Sequence, residues 1–305
     1  MSRETEKMFS QLYAQLGEQN LEGMDKEEIE SLFHDYIQQY NERVGGEVTA
    51  ETAKTSDDFL ELAEMAKQKN SALRYAKKAL QLDPDNLDAE SMIAELSARN
   101  SFDLLNKLKC AVVRGDEIMK AKGYAEEHCI GEYWGMIETR PYMRLRMKYA
   151  DTLKDNGMIR RAITEYEEML RLSENDNLGV RYTLMHLYAL MEDEQNALAL
   201  HKRYDGYEET QMLFPLSILY FKLGDLERAS GYLKRLYAAN KDTKKFIRGI
   251  VNDNMERYFN GMSEFGYRPF TIEELVTEMM ENQELFENVP GYFYWADEQL
   301  ISKKR

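Results

Sequence analysis

The residues of this sequence that could bind a metal or act as nucleophiles are few and scattered. Its four histidines, His34, His128, His186 and His201, form no HExxH spacing, and its two cysteines form no CxxC pair. Such spacings bring two ligands to one zinc ion. His128 and Cys129 are adjacent, so on a helix their side chains would point about 100° apart. With no glycine-rich phosphate loop and no GxSxG elbow either, the sequence predicts no catalytic residue, no metal and no cofactor.

The segment 131–144 contains the most distinctive polar residues. Glu138 and Arg140 precede Pro141, a residue suited to the first turn of a helix. Arginines near carboxylates have two interpretations here. They either form internal ion pairs that hold one helical hairpin on the next, or they form a site that binds a carboxylate. The candidate members of this ion-pair cluster are Glu138, Arg140, Arg144 and Arg181.

The elements that must position these residues are predicted to be helices. Met, Leu, Ala, Glu and Lys are abundant, while the chain has only five prolines and 17 glycines. These are helix formers, and β-branched runs typical of strands are nearly absent. We therefore expect an all-α fold.

The net charge of the chain limits the classes of partner that are expected. The formal net charge of −15 opposes binding to nucleic acid or to an anionic membrane, so neither is expected as a partner. A local basic patch remains open as an alternative to an ordinary solvated helix face. The lysines that would form it are Lys77, Lys78, Lys241, Lys244 and Lys245.

The sequence also predicts a cytoplasmic location. Cys110 and Cys129 make no disulfide framework, and the first ten residues lack the apolar core of a signal peptide. The longest apolar run, residues 212–221, is about half of what a bilayer span needs and contains Pro215.

Three stretches share a hairpin pattern, in which a turn separates two helical runs. They are residues 157–162, 192–197 and 224–229, with a weaker copy at 70–72. Their small residues Ala162, Ala197 and Ala229 are 35 and 32 positions apart. A small residue at a helix crossing allows close approach of the two helices. The alternative is a plain helical bundle with coincidental spacing.

This period resembles that of the tetratricopeptide repeat family, whose unit is about 34 residues long. The family's signature positions correspond to Ala72, Ala79, Pro84, Ala150, Gly157, Tyr166, Tyr188, Ser217, Tyr220, Gly224 and Ala229. The sequence departs from the signature where Glu174 and Lys241 replace the closing proline and Met169 replaces a small residue. The resemblance implies antiparallel hairpins stacked as a right-handed superhelix, an α-solenoid.

Residues 70–240 also resemble the suppression-of-tumorigenicity-seven family and its bacterial repeat relatives. The stretches that carry this resemblance are residues 131–144, 168–172, 175–177 and 179–182. Some of those relatives have a metal-binding tail rich in cysteine, and eukaryotic members have membrane spans. This sequence has neither, so neither property is expected here.

The chain is predicted to contain four segments. Residues 1–45 form an N-terminal helical segment, 46–56 a linker, 57–260 the repeat array and 261–305 the capping helices. The final helix pair, residues 272–286 and 291–301, is expected to cover the open end of the array.

In such an array one helix of each hairpin lines a concave face. We expect this face to bind a protein or peptide segment, making the chain a non-enzymatic scaffold. The residues of this predicted groove are Arg144, Met147, Asp151, Lys154, Tyr182, His186, Gln211, Phe214, Ile218, Phe221 and Lys222. They could instead pack against a neighbouring helix or a second copy of the chain. Two other functions stay open, a peptide-sensing regulator and an enzyme with a pocket enclosing His128, Glu138 and Arg140.

Overall fold

The computed structural model describes residues 5, 6, 8, 34, 48–259 and 266–301. Across these residues the fold is all-α, as predicted, with no strand and only an isolated pair of bridges at Ser173. The helices are α1 (Ser56–Met65), α2 (Lys69–Leu82), α3 (Leu87–Ser97), α4 (Ser101–Ala121), α5 (Arg140–Asp155), α6 (Ile159–Leu172), α7 (Val180–Leu190), α8 (Glu194–Arg203), α9 (Thr210–Lys222), α10 (Leu226–Ala239), α11 (Thr243–Val251), α12 (Glu256–Phe259), α13 (Ile272–Glu281), α14 (Gln283–Glu287) and α15 (Pro290–Ile301).

The predicted N-terminal helical segment, residues 1–45, lies almost wholly outside the described residues. Within the described part, no helix has both the length and the apolar character needed to cross a bilayer.

The chain divides into two compact units, Met1–Asn177 and Leu178–Arg305. In the first unit each helix from α1 to α6 packs on the next, and α3 also packs on α5. The helix starts follow ordinary capping rules. Thr55 forms a capping box with Asp58, and Asn86 and Asn100 each accept a bond from the first turn of the following helix.

In the second unit two hairpins, α7–α8 and α9–α10, precede a C-terminal group of shorter helices. The first helices of the two hairpins, α7 and α9, contact each other. Helix α9 is buried continuously from Met212 to Tyr220. The reason is that α13 packs on α9, α14 on α7, and α15 on α10 and α11.

The three predicted hairpin turns are present. The turn residue has a left-handed backbone in each, with φ of 70° at Gly157, 58° at Glu192 and 78° at Gly224. Glycine adopts this conformation without steric cost, whereas glutamate does not. The middle hairpin therefore has the same turn as the others despite lacking the glycine.

Small residues lie where the two helices of each hairpin cross. The side chains of Ala150, Ala162, Ala189, Ala197 and Ala229 are all fully buried. In the third hairpin the Ser217 hydroxyl donates to the Ala229 carbonyl at 3.0 Å, which places α9 directly against α10.

The predicted C-terminal helix pair is three helices, because the first predicted helix is broken at Asn282. That residue has φ −131° and ψ 40°, and its side-chain amide donates to the Glu278 carbonyl at 3.0 Å. The break turns α14 toward α7.

Candidate functional site

Two of the predicted cluster arginines form a buried ion-pair network within the first unit. Arg144 on α5 pairs with both oxygens of Asp88 on α3, at 2.9 Å from Nε and 2.6 Å from Nη2. Its Nη1 lies 2.8 Å from one oxygen of Glu6, whose other oxygen is 3.1 Å from Arg140 Nη1. These arginines therefore connect α5 to α3 and to an N-terminal residue. Their carboxylate partners lie within the chain, which favours the internal-bridge interpretation.

The other two predicted members are described separately. Glu138 is exposed. Arg181 belongs to the second unit, where its guanidinium lies 4.2 Å from the Tyr182 ring and 5.1 Å from the Tyr204 ring. The carboxylates paired with Arg140 and Arg144 are Glu6 and Asp88, and the four-residue cluster stays a prediction.

The distinctive segment 131–139 is a loop held by hydrogen bonds. The amides of Gly131 and Tyr133 both donate to the Leu172 carbonyl, at 3.1 and 3.0 Å. Arg140 Nε donates to the Trp134 carbonyl at 2.8 Å. Thr139 donates its hydroxyl to the carbonyls of Tyr133 and Met136. The unusual residues of this segment thus fix the loop to the end of α6.

Arg146 is a buried arginine that sequence reasoning missed. It pairs with Glu165 of α6 at 2.6 Å and with Asp116 of α4 at 3.0 Å, and it donates to the Tyr142 hydroxyl at 2.6 Å. Burial raises the pKa of Tyr142, so its hydroxyl keeps its proton. Arg146 therefore connects three consecutive helices.

The part of the predicted groove on α5 is half-buried. It consists of Met147, Asp151 and Lys154, next to the paired Arg144. Asp151 accepts a hydrogen bond from the Tyr166 hydroxyl at 2.6 Å. Burial raises the pKa of Asp151 and outweighs this bond, which lowers it.

The part of the predicted groove in the second unit is filled by the chain itself. His186, Phe214 and Ile218 are at most 1% exposed. The Phe214 ring lies 5.0 Å from that of Phe286 on α14. Of the alternatives given for these residues, the structure shows packing against neighbouring helices, because the C-terminal helices cover the apolar face of α9.

Phe221 at the other end of α9 is covered in the same way. Its ring lies 5.5 Å from Tyr292 and 5.3 Å from Trp295, both on α15. The Tyr292 hydroxyl donates to Ser217 Oγ at 2.8 Å, which ties α15 to the helix crossing of the third hairpin.

The polar groove residues of the second unit also make internal bonds. The Tyr182 hydroxyl donates to Glu209 at 2.8 Å, and Gln211 Nε2 donates to the Tyr267 hydroxyl at 3.0 Å. Lys222 Nζ donates to the carbonyls of Ala189 and Leu190, at 2.9 and 2.5 Å.

A buried titratable pair lies beneath the C-terminal helices. His186 Nε2 is 2.9 Å from Glu278 Oε1, and both side chains are almost fully buried. The approach is not that of a well-directed hydrogen bond, and among the described residues neither carboxylate oxygen has another donor. Burial raises the pKa of Glu278 despite the nearby imidazole, which lowers it.

Among the surface pockets lined by described residues, two are open concavities with basic side chains. One, of about 540 Å³, is here named the basic pocket, and its lining residues are Tyr237, Lys241, Lys244, Lys245, Arg248, Asn252, Asn254 and Arg257. The other, of about 600 Å³, lies on the first unit and is lined by residues that include Phe59, Leu73, Arg74, Tyr75, Lys77 and Lys78. The lysines named from the sequence as a candidate basic patch thus line two separate pockets.

Neither of these two pockets is lined by His128, Glu138 or Arg140, the residues of the enzyme alternative. His128 and Glu138 are exposed, and Arg140 is paired with Glu6. Nor do any three His, Cys, Asp or Glu side chains of the described residues group as metal ligands would.

No protein-family model matches this chain, and a comparison with curated proteins gave no match. Membership of the tetratricopeptide family therefore rests on the residue pattern and the hairpin packing, and it stays a proposal.

Proposed function

We propose that this chain is a non-enzymatic scaffold that binds a protein or peptide segment, built from tetratricopeptide-like hairpins stacked as a right-handed superhelix. The observation that carries the proposal is the burial of a small residue at each of the three helix crossings. This is the feature by which a repeat brings its two helices together and presents a uniform face.

The order of helix contacts supports the same proposal. Within the first unit α3 contacts α5, and within the second α7 contacts α9. These are the first helices of successive hairpins, and the concave face of a repeat array is made of such helices.

The second unit supplies an internal example of binding to this face. There α14 and α15 lie against α7, α9 and α10, with Phe286, Tyr292 and Trp295 as the anchoring aromatic side chains. A face that receives the chain's own helices through aromatic anchors has the chemistry of a helix-binding groove.

The part of the predicted groove in the first unit is the stripe of α5 formed by Met147, Asp151 and Lys154. All three are half-buried. A partner helix that presents an apolar side chain to Met147 would fit this stripe.

A displayed library of helical peptides, selected on the full chain, tests this function. Peptides selected on the wild type should bind at least about tenfold more weakly to Met147→Glu/Lys154→Glu, because the variant replaces an apolar anchor and reverses a charge. Leu82→Glu/Lys78→Glu is the matched control, since it also replaces one apolar residue and one lysine with glutamate, at two exposed positions of α2.

The milder variant Met147→Gln/Lys154→Gln guards against loss of folding, and circular dichroism checks that each variant is helical. Peptides that bind wild type, groove variant and control equally would show that the α5 stripe is not the binding surface. Failure to select any peptide would argue against a peptide-binding scaffold.

A further inference from the structure

The basic pocket brings together positive charges that sequence order alone does not emphasise. Lys244, Lys245 and Arg248 lie at positions i, i+1 and i+4 of α11, and Lys241 lies in the turn just before that helix. Arg257 of α12 lines the same pocket. Five cationic side chains therefore share one concavity in a chain whose net charge is −15.

Three of these five groups have internal acceptors, and one of them is Arg257, whose Nη2 donates to the Tyr258 hydroxyl. Arg248 Nε lies 3.2 Å from Asp297 Oδ1 on α15. Lys244 Nζ donates to the Leu300 carbonyl at 3.0 Å, a bond that leaves its charge uncompensated.

Lys241, Lys245 and Arg257 contact aromatic rings. Lys241 Nζ is 5.0 Å from the centre of the Tyr237 ring, and Lys245 Nζ is 5.2 Å from that of Tyr258, which Arg257 also approaches at 4.5 Å. Within the described part of the chain, no carboxylate lies within ion-pair distance of any of these three cations. Their charge is available to a ligand.

The position of the lysines opposes the stability of their own helix. Lys244 and Lys245 lie in the first turn of α11, where the positive end of the helix dipole favours acidic residues. Asp242, the N-cap residue, does not cap the helix, because its carboxylate accepts the Ile272 amide at 3.0 Å. Local rules broken in this way are typical of functional positions.

We propose that the basic pocket binds an anion that carries two or more closely spaced phosphate groups. From Lys244 to Arg248 the helix advances four residues, or about 6 Å at 1.5 Å per residue, and Lys241 precedes them, a spacing that suits a diphosphate or triphosphate. The side-chain amides of Asn252 and Asn254 supply further hydrogen-bond donors. The volume of about 540 Å³ lies in the range of small-molecule sites.

An acidic peptide fits this geometry less well. On an extended peptide the side chains of one face repeat only about every 7 Å, and an acidic strand would need a groove that continues beyond one pocket. The charges here are concentrated on the start of α11, the turn just before it and one residue of α12.

Titration calorimetry of the full chain with sodium tripolyphosphate, at physiological salt, tests the proposal. Lys241→Glu/Lys245→Glu should weaken binding at least about tenfold, since it reverses two uncompensated charges. The matched control Lys77→Glu/Lys78→Glu makes the same change of charge in the other pocket and should stay within about twofold of the wild type. Equal weakening by both variants would overturn the proposal, because it would indicate attraction to net charge alone.

Two further titrations compare tripolyphosphate with other classes of anion. A hexaglutamate peptide and a uridine hexanucleotide are titrated under the same conditions, and both should bind more weakly than tripolyphosphate. Tighter binding of hexaglutamate would assign the pocket to an acidic peptide, and tighter binding of the hexanucleotide would assign it to nucleic acid. Either result overturns the proposal, as does absence of tripolyphosphate binding to the folded wild type.

The variant Lys241→Gln/Lys245→Gln removes the charges without reversing them, and it covers the case in which the double glutamate variant does not fold. It should weaken tripolyphosphate binding in the same direction. These positions lie outside the α5 stripe, so the outcome is independent of the peptide selection.

Discussion

The close approach of the buried His186 and Glu278 side chains requires that one of the two carries an additional proton. His186 Nδ1 lies 2.8 Å from the Tyr182 carbonyl, and a carbonyl only accepts, so Nδ1 carries a hydrogen. In the neutral imidazole Nε2 is then an acceptor, yet it faces a carboxyl oxygen at 2.9 Å. Either the glutamate is protonated or the imidazole is doubly protonated. Burial, which raises the pKa of Glu278, favours the protonated acid.

Replacing Glu278 with glutamine tests this assignment at the level of one residue. A raised carboxyl pKa in the folded state means that its stabilising effect is complete below the ordinary carboxyl pKa and is lost as pH rises toward the raised value. Glutamine does not titrate. The free energy of unfolding of Glu278→Gln, relative to the wild type, should therefore increase as pH rises from about 4 to about 8, by on the order of 1 kcal/mol for each unit of pKa shift.

Denaturant unfolding at a series of pH values measures this difference. The contributions of all other titratable groups are common to both proteins and cancel. An infrared band of a protonated carboxyl group, present in the wild type and missing from the variant, would give independent support. A variant that is less stable than the wild type by about 3–5 kcal/mol at neutral pH would instead indicate a charged pair broken by the substitution.

At the scale of elements, the three hairpins share one turn conformation. Gly157, Glu192 and Gly224 take the same left-handed backbone, at the same place between two helices. The glutamate lacks the freedom that makes glycine suitable there. Its side chain is half-exposed and lies 3.5 Å from Lys222 Nζ, a contact of little energetic value.

Exchanging these residue types should therefore have opposite effects in the two hairpins. Glu192→Gly is expected to raise the free energy of unfolding by up to about 1 kcal/mol, and Gly224→Ala to lower it by about 1 kcal/mol. An added methyl group at Gly224 would meet no atom within 4 Å, so any loss there is conformational. Thermal and denaturant unfolding of both variants measure the effects, and a destabilising Glu192→Gly would show that the side chain contributes more than its backbone costs.

Helices with a strong local signal could be predicted from the sequence. The helix predicted at 291–301 is a helix at Pro290–Ile301, because helix start signals and apolar residues act over a few positions. The hairpin at 192–197 was also predicted, although Glu192 replaces its glycine. The spacing of Ala197 from Ala162 and Ala229 was the basis of that prediction.

Contacts between distant residues could not be predicted in this way. Glu6 lies 138 positions from Arg144, and Asp88 lies 56 positions from it, so no local pattern marks either as a partner. Helix α9 is apolar on nearly all sides, and its sequence does not say which side a partner faces. Phe214 and Ile218 were therefore assigned to an open groove, while α13 and α14 cover that part of the unit.

At the scale of the whole molecule, the second unit contains what a separate domain needs. Its core includes Phe214, Phe246 and Tyr292, all fully buried. Polar bonds add to it, since Glu274 on α13 accepts from the Thr210 hydroxyl at 2.8 Å and from the Phe270 amide at 2.8 Å. A chain of this length with its own core is in the size range of independently folding domains.

Residues 178–305 expressed alone are therefore expected to be helical and to unfold in one cooperative transition, followed by circular dichroism and calorimetry. Phe214→Ala in this fragment should lower the free energy of unfolding by about 3–5 kcal/mol, because it empties the space between α9, α14 and α15. Phe270→Ala provides the comparison, since Phe270 is 55% exposed, and it should change stability far less. A fragment that is helical but melts without cooperativity, or in which the two substitutions have equal effects, would mean that the core of this unit is not formed by residues 178–305 alone.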